Sequence, residues 1–123
     1  MYFNHDKFQC YGVALSVARW AARVVVPTGR RHLKDQLVRA ADSMVLNIAE
    51  GGGRPIGGAA RRNFFDIASG SAAEVGAIID LLEPADGEAR REEGAIIDLL
   101  EPADGEARRV ECLRVAQMLA RLR

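Results

Sequence analysis

Arginine supplies most of the chemistry open to this chain. Arg39, Arg54, Arg61 and Arg62 lie around a glycine-rich stretch, Gly51-Gly52-Gly53 and Gly57-Gly58. Guanidinium groups gathered there would grip phosphate oxygens in pairs. The binding expected of such a group is directed at a nucleic-acid backbone, falls with salt and discriminates weakly, because no regularly placed aromatics offer bases a stacking surface. Catalytic sets are missing. A di-iron bundle needs Glu-x-x-His pairs, but Tyr2 and Gly29 stand three residues before His5 and His32. The glycine stretch lacks the Gly-Lys-Ser/Thr of a phosphate loop and follows a helical pattern rather than a strand. Cys10 and His32 have no third group to orient them as nucleophile and base. Cys10 and Cys112 fit no metal-ligand spacing and are expected as buried free thiols. No catalysis, cofactor or metal is expected.

The arginines need helices to place them. In Gln36 to Arg54, Leu33 and then Leu37, Ala40, Met44 and Ile48 recur at steps of three and four, a core-facing stripe. Gln36, Arg39, Ser43, Asn47 and Glu50 form a second, polar line at the same steps. The spacing predicts this helix over about 31–50, with Gly51 to Gly53 supplying the left-handed residues that end it. A first helix is predicted over about 7–26, opened by a capping box at Asp6 and Gln9. Its stripe is Phe8, Tyr11, Leu15, Ala18, Ala22 and Val25. A second apolar line, Val13, Val17, Trp20 and Val24, suggests cover on two sides, by the bundle and by a neighbouring subunit. A third helix starts near Ala59, with Ala60, Phe64, Ile67, Ser71, Val75, Ile78 and Leu82 along one side. Gly70 and Ser71 in its middle point to a close helix crossing.

With 123 residues, an alanine- and leucine-rich composition and few aromatics, the chain reads as one all-α domain spanning 1–123. No apolar run approaches the roughly 20 residues that span a bilayer, and the N-terminus lacks a signal-peptide layout, so a cytoplasmic protein is expected. Net charge is zero, yet residues 1–66 hold ten Lys or Arg against five Asp or Glu, and residues 67–123 hold seven against twelve. Complementary charge between helices or subunits explains this asymmetry more simply than an anion-binding face.

One stretch occurs twice. GAIIDLLEPADGEARR fills 76–91 and recurs unchanged at 94–109, separated by Glu92-Glu93. The period of 18 would keep helix faces aligned, but Pro84 and Pro102 interrupt the backbone hydrogen bonding, so each is expected in a turn or a proline-led first turn. The reading is a short extra helix at about 88–100 and a final helix at about 106–122. Two copies are too few for a solenoid.

QLVRAADSMVLNIAEGGGR followed by RRNFFDIASGSAAE resembles the four-helix bundle family of proteins encoded in 23S ribosomal RNA intervening sequences. The resemblance rests on Gln36, Leu37, Arg39 and Ala40, on Asn47 to Gly51, and on Phe64, Ala68, Gly70, Ser71 and Glu74. It implies an antiparallel up-down four-helix bundle, often assembled as a homo-oligomeric pentamer. It also implies kinship with the accessory variability determinant proteins of diversity-generating retroelements, whose partners are nucleic acid and a reverse transcriptase. The duplicated segment departs from that pattern.

Against this frame the polar line has two readings. The preferred one is a structural network in which Arg39, Asn47 and Glu50 of helix two meet Glu74 of helix three, since a buried arginine is tolerable only when paired and hydrogen-bonded. The other gives Arg39, with Arg54, Arg61 and Arg62, to RNA or DNA phosphates. Two functions follow: a nucleic-acid-associated oligomeric adaptor, or a purely structural self-assembling bundle whose partner is another protein.

Overall fold

The computed structural model describes residues 5–82 and 102–123, with side chains from Gln9 to Leu82 and from Asp104 to Arg123. Among these residues there are four α-helices and no strand. Helix α1 is His5–Arg23, α2 is Arg31–Gly52, α3 is Ala59–Leu82 and α4 is Pro102–Leu122, with a single 3-10 turn at Thr28–Arg30. Each helix packs on two others, in the cyclic order α1, α2, α3, α4. Ion pairs join Asp66 to Arg123 at one end of the α3–α4 contact and Asp80 to Arg109 at the other. The expected extra helix at 88–100 lies outside the described residues. Pro102 opens α4, where its missing N–H costs nothing.

The core draws on all four helices. Leu37, Met44 and Ile48 of α2 meet Phe65, Val75 and Ile79 of α3 and Val115 and Leu119 of α4, with Cys10, Ala14, Val17 and Ala21 of α1 closing the layer. The stripe expected on α2 is buried as read. On α1 the phase differs: the core line is Cys10, Ala14, Val17, Ala21 and Val24, whereas Ala22 and Val25 are exposed. Val17, Trp20 and Val24 of the second apolar line are covered within the chain itself, and Val13 is half-buried.

Helix α1 stops three residues before its expected end. Val24 and Val26 still bury their side chains, but the β-branched run leads into Pro27, whose ring disfavours helical backbone at the residue before it. The carbonyls freed at this end are taken by Lys34 of α2. Its Nζ donates to Ala21 O at 2.6 Å, Ala22 O at 3.2 Å and Val24 O. A cation on the negative end of a helix is favourable, although burial pulls the lysine pKa below its ordinary value.

The glycines after α2 act differently from the expectation. Gly51 and Gly52 are inside the helix, and Gly53 caps it with right-handed backbone, φ −87° and ψ −1°. The left-handed residue is Gly57, at φ 79°. Gly51 is required for another reason: a Cβ there would stand 2.5 Å from Phe65 Cε1 and 3.2 Å from Phe64 Cβ. The close crossing read at Gly70 is thus at Gly51, because Gly70 is exposed with nothing within 4 Å of its missing side chain.

Both cysteines are free and buried, and burial pushes each thiol up to about 12 from the ordinary 9.0, with Glu111 adding to the effect at Cys112. Because the folded-state value is raised, the thiols' contribution to stability is intact below pH 9 and is lost as pH rises toward 12. Urea titrations at pH 8 and pH 10.5 should therefore show lower stability at the higher pH, and Cys10→Ala with Cys112→Ala should reduce that difference. Gly51→Ala should cost about 1–3 kcal/mol by the same measurement, since the ring it meets is fully buried and has nowhere to move.

Candidate functional site

The loop from Gly53 to Gly58 joins α2 to α3; Arg54 lies in it and Arg61 and Arg62 in the first turn of α3, whereas Arg39 stands in the middle of α2, about 20 Å along the helix from Gly52. The four side chains separate into two kinds. Arg39, Arg54 and Arg62 are exposed, whereas Arg61 is 1% exposed and points inward.

Arg61 is a correction to the phosphate-binding reading. Its Nε donates to Leu122 O at 2.8 Å, closing the carbonyl end of α4, and its Nη1 donates to Arg54 O at 3.5 Å in the loop. The guanidinium carbon sits 4.9 Å from the centroid of the Phe65 ring, a cation–π stack. Among the described residues its polar contacts are to backbone, and no carboxylate pairs with it. Sequence periodicity placed Phe64 on the core line of α3, but the buried line runs through Arg61, Phe65, Ala68, Ala72, Val75, Ile79 and Leu82. The first turn was misread by one position because an arginine is not expected inside.

Arg54 stacks 5.3 Å from the centroid of Phe64 and pairs with Glu50 at 3.5 Å, both side chains being largely in solvent. Such a pair contributes little to stability. Arg62 donates to Gly57 O at 2.5 Å, holding the one left-handed residue of the loop. Arg39 makes a long bond, 3.4 Å, to Asp35 O of its own helix. The exposed guanidinium groups thus keep donors toward solvent.

The interhelical network expected of Arg39, Asn47, Glu50 and Glu74 is not the one present. Arg39, Glu50 and Glu74 are exposed, and Glu50 is engaged with Arg54. Contact between the helices is made by hydroxyls instead. Ser71 Oγ donates to Ser43 Oγ at 2.9 Å, and Asn47 Nδ2 donates to Ser43 O at 2.8 Å and Ser43 Oγ at 3.1 Å. Desolvation explains the difference: two hydroxyls and an amide satisfy one another at small cost, whereas a guanidinium and two carboxylates would need several more partners. Arg39 and Glu74 instead flank a shallow cleft of about 200 Å³, with Gln36, Ala40, Ser43 and Ser71 lining the rest.

Two basic residues that sequence reading passed over serve the same task as Arg61. Arg30 Nη2 donates to Leu81 O at 2.9 Å, at the end of α3, and Lys34 closes α1. The signal for them was their position just past a proline break, where a cation finds the carbonyl end of the preceding helix. Among the described residues no group of three or more His, Cys, Asp or Glu is placed to hold a metal ion.

Arg61→Met should lower unfolding free energy by about 2 kcal/mol, because it leaves the buried Leu122 carbonyl without its donor. Arg61→Lys should restore only part, since an ammonium cannot copy the planar fork. Arg62→Met, by contrast, should stay within about 0.5 kcal/mol. Equal losses for Arg61→Met and Arg62→Met in thermal melts would contradict this assignment.

Comparison with curated proteins and with solved structures gave no match. A family model described as 23S rRNA-intervening sequence protein matches residues 9–120, which takes in all four helices and the arginine loop. The helical fold and the blocks around Asn47 to Gly51 and Phe64 to Glu74 agree with that match, and the chain belongs to the 23S rRNA-intervening sequence protein family.

Proposed function

We propose that this protein is a non-enzymatic, cytoplasmic, homo-oligomeric adaptor that binds nucleic acid through phosphate contacts. Its frame is an antiparallel up-and-down four-helix bundle, a reading favoured by the ion pairs that match the start of α3 with the end of α4 and the reverse. A pentamer is the assembly that family membership suggests. RNA or DNA is the expected ligand and a reverse transcriptase a further expected partner.

The observation that carries the reading is charge. The chain as a whole is neutral, and its basic character is local: Arg39, Arg54 and Arg62 stand exposed on α2, in the loop and on α3. Removing Arg61 from the set leaves three cations, so the contact is small and its strength must come from repetition around an oligomer. Multivalent presentation would convert a few weak phosphate contacts per chain into useful affinity.

A second reading has its own support. Leu46, Ile67, Val110 and Leu113 are large apolar residues between 43% and 63% exposed, spread over α2, α3 and α4. These suit a bundle that assembles with itself or with another protein and needs no nucleic acid.

Salt separates the two. Affinity of the assembled protein, its native mass measured first, for a structured RNA and a DNA duplex should fall steeply between 50 and 200 mM salt, and Arg39→Ala, Arg54→Ala and Arg62→Ala together should weaken it at least tenfold while leaving the helical circular dichroism unchanged. No binding at 50 mM salt would leave the structural reading in possession.

A further inference from the structure

The turn from α1 into α2, at the other end of α2 from the arginine loop, carries a second basic surface. From Gln9 to Lys34 the chain holds Arg19, Arg23, Arg30, Arg31 and Lys34 and no acid. Two of these are committed to structure: Lys34 Nζ donates to Ala21 O at 2.6 Å and Arg30 Nη2 to Leu81 O at 2.9 Å. Arg19, Arg23 and Arg31 are exposed, and among the described residues no carboxylate pairs with any of them. Even Asp35, one turn beyond Arg31 on α2, makes no ion pair with it.

Elsewhere the bundle matches surface arginines with acids. Arg54 meets Glu50, Arg108 meets Glu111, Arg109 meets Asp80 and Arg123 meets Asp66. At this corner cations are gathered without acids, an arrangement whose repulsion is relieved when an anion joins them. Arg23 and Arg31, with Thr28 and Lys34, line a recess of about 340 Å³ whose floor is Val24 to Val26. The ties made by Lys34 and Arg30 fix the backbone on either side of it, so the two uncommitted guanidinium groups stand on a firm frame. An apolar floor keeps water from one side of the recess, which strengthens a charge-assisted hydrogen bond made there.

Building on the nucleic-acid reading above, we propose that this recess is a second phosphate-binding site for a nucleic-acid backbone, with Arg23 and Arg31 as its donors and Arg19, one turn before Arg23 on α1, extending the track. It shares no residue with the loop. A strand suits this surface better than a lone anion, because cations strung along the end of α1 and the start of α2 reach several phosphates of one polymer at once. No aromatic side chain lines the recess, so it holds backbone and reads no base. Helix α2, with 22 residues, sets the recess about 33 Å from the loop, several Debye lengths at physiological salt. The two basic surfaces therefore act independently.

The test pairs binding with footprinting on the full chain, using a single-stranded RNA of about 20 nucleotides as the probe. Arg23→Gln with Arg31→Gln should weaken binding at least about tenfold at low salt and reduce the slope of log affinity against log salt by about 1–2, with helical circular dichroism unchanged. Arginine-selective dicarbonyl labelling, read by mass spectrometry, should slow at least about threefold at Arg23 and Arg31 when the RNA saturates the unaltered chain. Inorganic phosphate at the same phosphate concentration and vesicles of anionic phospholipid should give no such protection; protection by either would overturn the assignment to nucleic acid. If the double variant binds as tightly as the unaltered chain while the Arg39, Arg54 and Arg62 triple variant is weakened, the recess is not a site and the loop reading stands alone. Loss in the double variant but not in the triple would place the contact at the recess and remove it from the loop. RNA that fails to bind the unaltered chain at low salt sinks both.

Discussion

A buried guanidinium bound to main-chain oxygens holds one end of this bundle together. Arg61 ties the last turn of α4 to the loop that leads out of α2, and the Phe65 ring beneath it fills the space where α2 would otherwise stand off from α3. Gly51 is the other half of that fit, since only a residue without a side chain lets α2 approach the ring. Backbone carbonyls at a helix end need donors, and charged donors meet that need at roughly twice the strength of neutral ones. Three of the four helices end this way, α1 on Lys34, α3 on Arg30 and α4 on Arg61. Much of the basic character of the first half of the chain is thus structural.

That use of charge sharpens the functional question. Subtracting the cations that hold helix ends leaves Arg39, Arg54 and Arg62 exposed, together with Arg19, Arg23, Arg31, Arg114 and Arg121. Arg54 leans on Phe64 and Arg62 on Gly57 O, contacts that orient the guanidinium groups without consuming all their N–H donors.

The helices were legible because their signals are local. The Leu33 to Ile48 stripe, the proline at Pro27 and the proline that opens α4 each bound an element within a few residues of where it lies. Partnerships were less legible. Nothing in the spacing of Arg61 distinguishes it from Arg62, its neighbour; one faces the core and the other solvent only because the first turn of α3 is rotated toward the end of α4, a fact set by packing some sixty residues away in sequence. The polar line on α2 was read correctly as ordered and wrongly as charged. Its half-buried members are the smallest, Ser43 and Asn47, since the interior favours groups that can be satisfied by few neighbours.

Because Arg61 addresses only carbonyl oxygens and a ring face, the identity of residues 54 and 122 is irrelevant to the hydrogen bonds that they accept. Evolution can vary both side chains while the tie persists, so this long-range contact leaves no correlated pair of substitutions behind. The tie between the loop and the last helix thus depends on the residue type of Arg61 alone.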